Sequence, residues 1–173
     1  MSSPDATPDV LETMQALWAL AHALEERSKW MQRTLGITGP QRLLLRAVGA
    51  APGCTPSAAA RRLRLNPGTV SRLMSGLQRN GLLKVAADPR DGRQRRLSLT
   101  PRGVLLNGRH HGTVEAAVRE ALETATPSEA SSARRFVLRL TASLTVSERE
   151  RREGERRNGG GRRPGPRRAA VAR

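Results

Sequence analysis

The sequence predicts a mostly α-helical protein with one small β-hairpin, an α+β chain whose core is built by helices. Three observations predict it. Hydrophobic residues make up 37% of the chain, yet Trp18, Trp30 and Phe136 are its only aromatics, so the core must be made of Leu, Val and Ala, which suits helices better than a large sheet. Apolar residues recur at steps of three and four, repeatedly behind a Thr or Asn followed by Pro, a cap and first-turn pair. Short strand patterns occur at Leu82–Val85 and Arg96–Leu99, on either side of the turn-forming run Asp88–Arg95.

The elements follow in order. Thr7-Pro8-Asp9 opens a first helix, with apolar positions Val10, Met14, Leu17, Ala21, Leu24 and Met31, widened by Leu11 and Trp18, and Gly36 closing it. That stripe is more than a lone terminal helix can bury, so it needs a partner. Thr38-Gly-Pro40 opens a second helix with Leu44, Leu45 and Val48 on one face. A third starts at Thr55-Pro56 and carries Ala58, Ala59 and Leu63. Asn66-Pro67 begins a fourth, with Val70, Leu73, Met74 and Leu77 facing the core. Two short helices joined by a tight polar turn are the helix-turn-helix pattern. The outward side of the fourth helix holds Gly68, Thr69, Ser71, Arg72, Ser75 and Arg79. It reads either as an ordinary solvated face or as one that enters a DNA major groove. Beyond Thr100-Pro101 a longer helix is expected, bent or loosened by Gly103, Gly108 and Gly112. Thr126-Pro-Ser-Glu129 is a capping box, followed by Ala130, Ala133, Val137, Leu140 and Leu144 with Phe136 beside them. Apolar seams at both ends of the chain are most economically satisfied by pairing between two copies.

The chain has 173 residues and a net charge of +16, and residues 61–102 alone carry eleven Lys and Arg against two Asp and Glu, a net +9. A compact, strongly basic unit usually has a polyanion as its partner. From Ser147 onward Arg, Glu, Gly and Pro take over, so 147–173 reads as a disordered basic tail that either adds nonspecific DNA affinity or is simply solvated. There is no apolar run of roughly 18 residues and no signal-peptide pattern, which points to a cytoplasmic, nucleoid-associated protein. The single Cys54 excludes an internal disulfide and any multi-cysteine metal site; it reads as a small turn residue with nothing adjacent to activate its thiol. His110 and His111 point in different directions and read as packing or surface residues rather than metal ligands. Without a glycine-rich phosphate loop, a metal cluster or a nucleophile beside a base, neither an enzyme nor a cofactor is expected.

The run Asn66-Pro-Gly-Thr-Val-Ser-Arg-Leu73, then Asn80-Gly-Leu-Leu83 and Asp88-Pro-Arg-Asp-Gly-Arg93 closing on Leu97-Ser-Leu-Thr100, resembles the MarR family of bacterial winged-helix regulators. The resemblance covers residues from about 9 to 146 and leaves the basic tail outside. It implies a winged helix-turn-helix: mostly α with a small β-wing, and dimerisation helices from both chain ends. The expected organisation is a flexible N-terminus at 1–8, a helical dimerisation region at 9–36 and 101–146, and a DNA-binding lobe at 37–100. Recognition-helix contacts are expected from Thr69, Ser71, Arg72 and Ser75, supporting-helix contacts from Thr55 and Ser57, and wing contacts from Arg90, Arg93 and Arg95. Asp91 resembles the acidic residue that steadies the wing by pairing with an arginine. The resemblance also implies small aromatic effectors held between the dimerisation helices and the lobe; Trp18, His22 and Trp30 either line such a pocket or pack as core. Cys54 does not match the family's peroxide-sensing cysteine.

The function expected is therefore a homodimeric, sequence-specific double-stranded DNA-binding transcriptional regulator, a repressor on a pseudo-palindromic operator released by a small molecule. The alternative is an architectural, nucleoid-associated protein that coats DNA with its basic lobe and tail.

Overall fold

Side-chain caps decide where the helices of this chain begin. The computed structural model describes residues 9–159, with side-chain surroundings for residues 9–145. Helix α1 spans Val10–Leu35, α2 Gly39–Ala50, α3 Pro56–Leu63 and α4 Pro67–Arg79; strands β1 and β2 span Leu83–Ala87 and Arg95–Leu99; α5, α6 and α7 span Pro101–Gly108, Val114–Thr124 and Pro127–Gly159. Thr38 and Gln41 form a full capping box on α2, and Thr55, Asn66 and Thr100 each accept the N–H three residues on, ahead of a first-turn proline. Each cap satisfies one N–H that the helix itself cannot, worth about 1 kcal/mol. At α1 the cap is Asp9, whose carboxylate accepts from Leu11 N at 3.1 Å; Thr7 lies outside the described residues. Gly36, at φ 74°, ends α1 in the left-handed region.

The chain forms two compact units that divide after Ala121. In the first, α2 lies at the centre: Leu44, Leu45 and Val48 are fully buried with Ala59 and Ala60 of α3, Val70 and Leu77 of α4, and Leu83 and Leu97 of the hairpin. Each buried Leu or Val removes apolar surface worth about 1.5–3 kcal/mol. Leu73 and Met74 flank this cluster half-buried.

The strands pair antiparallel, from Leu83 opposite Leu99 to Ala87 opposite Arg95. They run longer than the expected Leu82–Val85 and Arg96–Leu99, because the ladder continues up to the turn. A third segment joins them. Gly53 N donates to Leu97 O at 2.7 Å and Leu97 N to Cys54 O at 2.9 Å, so Cys54 is a bridge residue on the free edge of β2 as well as part of a turn. One paired residue has no periodicity that a sequence can display.

The longer helix expected after Thr100 is two helices. Gly112 adopts φ 71°, and the Thr113 hydroxyl accepts from Ala116 N at 3.3 Å, which starts α6 afresh. Gly103, expected to weaken its helix, is required there: a Cβ would strike the carbonyl oxygen of Leu82.

In the second unit, Thr126 and Glu129 exchange the capping-box bonds, Thr126 N to Glu129 Oε2 at 2.7 Å and Glu129 N to Thr126 Oγ1 at 3.3 Å. Helix α7 then continues to Gly159, past Ser147, where a disordered tail was expected. The run Glu148 to Arg157 is apolar-poor but rich in Glu and Arg, which favour helix without needing a core. The expected tail beyond Gly159 and the expected flexible N-terminus at 1–8 lie outside the described residues.

Candidate nucleic-acid interface

Helix α4 buries Val70 and Leu77 and turns Gly68, Ser71, Arg72 and Ser75 to solvent, with Thr69 half-buried. Asn66 Oδ1 accepts Thr69 N at 2.7 Å and so sets the first turn. Ser75 Oγ donates to Ser71 O at 3.0 Å, leaving its lone pairs open as acceptors. Arg72 reaches Thr69 Oγ1 only at 3.5 Å, so among the described residues nearly all of its donor fork has no partner. On α3, Thr55 Oγ1 accepts Ala58 N at 3.1 Å, which commits a lone pair and leaves the hydroxyl proton available. Ser57 beside it is exposed. The exposed face is thus small, polar and basic on a helix whose other face is core.

The wing is held by two aspartates in different ways. Asp91 caps the turn tip: Arg93 N donates to its Oδ1 and Gln94 Nε2 to its Oδ2, both at 3.1 Å. Among the described residues it pairs with no arginine, contrary to expectation. That role belongs to Asp88, 6% exposed, whose Oδ2 accepts from Arg96 Nε at 2.7 Å while its Oδ1 accepts from Arg90 N at 3.0 Å. The Arg90 N–H and then the Arg96 guanidinium hold the Asp88 carboxyl below its ordinary range. Arg96 Nη1 also donates to Gly53 O at 3.0 Å, tying the wing base to the bridging segment. The chain bends at Pro89 so that the nearer carboxylate, Asp88, lies at the strand base where Arg96 returns; the pattern of acids alone does not show which one does. Arg90, Arg93 and Arg95 stay exposed.

No Asp or Glu occurs between Glu26 and Asp88, so α2, α3, α4 and β1 carry positive charge without intervening acids. Two arginines that sequence reasoning missed stand out in this stretch. Arg42, 1% exposed, donates from Nε to Glu115 Oε1 at 2.7 Å and through its Nη atoms to the carbonyls of Leu106 at 2.6 Å, Asn107 at 3.2 Å and Arg109 at 2.5 Å. It thereby caps the open carbonyl end of α5 and ties α2 to α6. Burial pushes the Glu115 carboxyl up, but Arg42 and the local backbone N–H outweigh it and the net shift is downward. Arg64, in the turn between α3 and α4, is the only non-glycine residue with positive φ among those described, at 54°.

A cavity of about 810 Å³ lies between the ends of α1 and α4 and the helix α5, with Arg79, Arg102 and Arg109 in its wall and Leu35, Leu82 and Leu106 among its apolar lining. The structure does not bring Trp18, His22 and Trp30 to it. Trp18 is 70% exposed and His22 is exposed too, while Trp30 lies against Gly112 in the α5–α6 link. Burial pushes the Cys54 thiol up, away from a reactive thiolate. His111 is exposed and His110 half-buried. Among the described residues no cluster of three or more His, Cys, Asp or Glu could hold a metal ion, and no helix is long and apolar enough to cross a membrane.

A sequence model of the MarR family matches residues 35–94, the span from the end of α1 to the wing. No curated protein matches the chain at a significant level. Among solved structures, the fold is shared with FabT of Streptococcus pneumoniae in complex with DNA, at TM-score 0.60 and 22% identity over 80% of this chain and 99% of that one. It is shared equally with the PcaV regulator of Streptomyces coelicolor with its natural ligand, at 0.60 and 24% over 83% and 99%. MepR of S. aureus in complex with DNA matches at 0.61 and 20% over 75% and 96%. Residues 35–94 thus match the MarR family, and the chain shares its fold with these three solved proteins.

Proposed function

We propose that this protein is a homodimeric, sequence-specific double-stranded DNA-binding transcriptional regulator, a repressor acting in the cytoplasm on a pseudo-palindromic operator. The observation that carries the reading is the pairing of two exposed elements in one basic lobe: the Thr69–Ser75 face of α4, and a wing whose Arg90, Arg93 and Arg95 enter no ion pair among the described residues while Asp88 and Asp91 hold its shape. Thr69, Ser71, Arg72 and Ser75 would read base edges, Arg72 with a donor fork suited to guanine. Thr55, Ser57 and the wing arginines would meet phosphates or the flanking minor groove.

Dimerisation is supported by apolar side chains left in solvent at both chain ends: Val10, Leu11, Met14 and Trp18 on α1, Val118 and Leu122 on α6, Phe136, Val137 and Leu144 on α7. Singly exposed apolar residues are ordinary, but runs at helical spacing mark an interface. A helix-turn-helix dimer engages two half-sites about 10 base pairs apart. The cavity beside α5 is the proposed effector site, and its three arginines with no acid in the wall favour an anionic ligand with an apolar body. DNase footprinting on the promoter region next to the protein's own gene tests the regulator reading. Protection of one discrete site that survives excess competitor DNA supports it, and uniform coating without a preferred site overturns it.

A further inference from the structure

We propose that Arg64 is a DNA-backbone contact, kept in a strained turn to hold a positive charge at the lip of the groove that α4 enters. This rests on the DNA-binding reading above. The α3–α4 turn closes with Leu65 N donating to Ala60 O at 3.0 Å and Arg64 N to Arg61 O at 3.2 Å, the paired bonds of a helix end that glycine normally completes. Arg64 occupies the glycine position at φ 54°, ψ 37°, where a Cβ is unfavourable. Leu65 packs half-buried on the core next to it, which fixes the turn and leaves the Arg64 side chain exposed.

Strain kept at one position calls for a compensating role. Within the fold none is apparent: Arg64 belongs to none of the ion pairs among the described residues, and no acid precedes Asp88 in this lobe. The turn leads directly into Asn66 and the first residues of α4. In helix-turn-helix complexes those first residues of the recognition helix meet base edges while the preceding helix crosses the phosphates. A guanidinium at the junction has phosphate as its natural partner, and it contributes affinity rather than sequence choice.

The test compares the full-length protein with Arg64→Gly and Arg64→Asn, two residues that suit the left-handed conformation, and with Arg119→Gln on α6 as a charge control. Binding to a random-sequence duplex of about 30 base pairs, three helical turns, is followed by fluorescence anisotropy across a KCl series. Thermal melting is recorded alongside. Both Arg64 variants should melt at or above the wild-type temperature and bind several-fold more weakly. The slope of log affinity against log salt should be shallower by about 0.9 per lost phosphate contact, so about 1.8 for a dimer. Arg119→Gln should change neither. Wild-type binding with unchanged affinity and slope in both Arg64 variants overturns this inference alone. So does a lower melting temperature with intact DNA binding, which would make the charge a partner of the α3 carbonyl end. A wild-type protein that binds no duplex removes the DNA-binding reading and this inference together.

Discussion

Arg42→Met removes a buried cation whose partners stay behind. The wild-type guanidinium, 1% exposed, satisfies the Glu115 carboxylate and three carbonyls at the end of α5. Met fills similar volume, so the cavity contribution is small and the loss is electrostatic. Truncating one partner of a buried pair costs about 3–5 kcal/mol. The Glu115 side chain is 24% exposed and recovers some hydration, which places the expectation at about 3–4 kcal/mol. For a chain of this length each kcal/mol moves Tm by about 2–4 °C, so a fall of about 6–16 °C is expected. Circular dichroism melts of the wild type, Arg42→Met, Glu115→Gln and the double variant measure both the loss and the coupling, expected at about 1–3 kcal/mol. The sign with pH follows from the lowered Glu115 pKa. Its stabilisation is present above the unfolded value near 4.3 and is lost as pH falls through the lower folded value. The Tm gap between wild type and Arg42→Met should therefore narrow below about pH 4. A Tm within about 2 °C of wild type at pH 7, or additive single variants, would refute the account of Arg42 as the joint between α2, α5 and α6.

Three further outcomes are expected. Gly103→Ala should destabilise by about 1–3 kcal/mol, read by urea unfolding, since its Cβ meets the Leu82 carbonyl; an Ala at Gly108, where nothing is near, should be neutral or stabilising. Arg96→Ala frees the wing base from Asp88 and Gly53 and leaves the Asp88 carboxylate buried without its guanidinium, so amide exchange should quicken across Asp88–Gln94 and both DNA affinity and Tm should fall. Unchanged exchange there would contradict the Asp88–Arg96 clamp. Arg93→Ala should weaken binding to all sequences alike and flatten the salt dependence, whereas Arg72→Ala should also relax base preference by about 1–3 kcal/mol at one position per half-site, read by competition with single-base variants of the preferred site.

Local rules carried most of the fold. Thr38, Thr55, Asn66, Thr100 and Thr126 are capping residues whose effect extends three residues along the chain, and each begins a helix where the sequence places it. The core stripe of α2 and the existence of the hairpin were legible for the same reason, since period and turn chemistry are written locally. What was illegible depends on distant residues. Arg42 reads as one more surface arginine until the α5 carbonyls come to it, 64 and more residues away in sequence. The Cys54 bridge needs β2 to form first. Asp88 and Asp91 are indistinguishable on paper, and only the return of Arg96 separates the buried clamp from the exposed tip cap. The break at Gly112 was visible as glycines but misjudged as a bend, because Thr113 was not recognised as a cap. The break between α5 and α6 is thus set by a left-handed glycine, a hydroxyl and a buried arginine acting together.

The Thr69–Ser75 face and the Arg90–Arg95 wing are proposed to read DNA from two protomers at once. Sequencing of duplexes enriched by the purified full-length protein from a random pool tests it most directly. An inverted repeat with half-site centres about 10 base pairs apart is expected, its preference lost on Arg72→Ala at one position in each half. Enrichment of no motif, or of a single unpaired half-site, would contradict it.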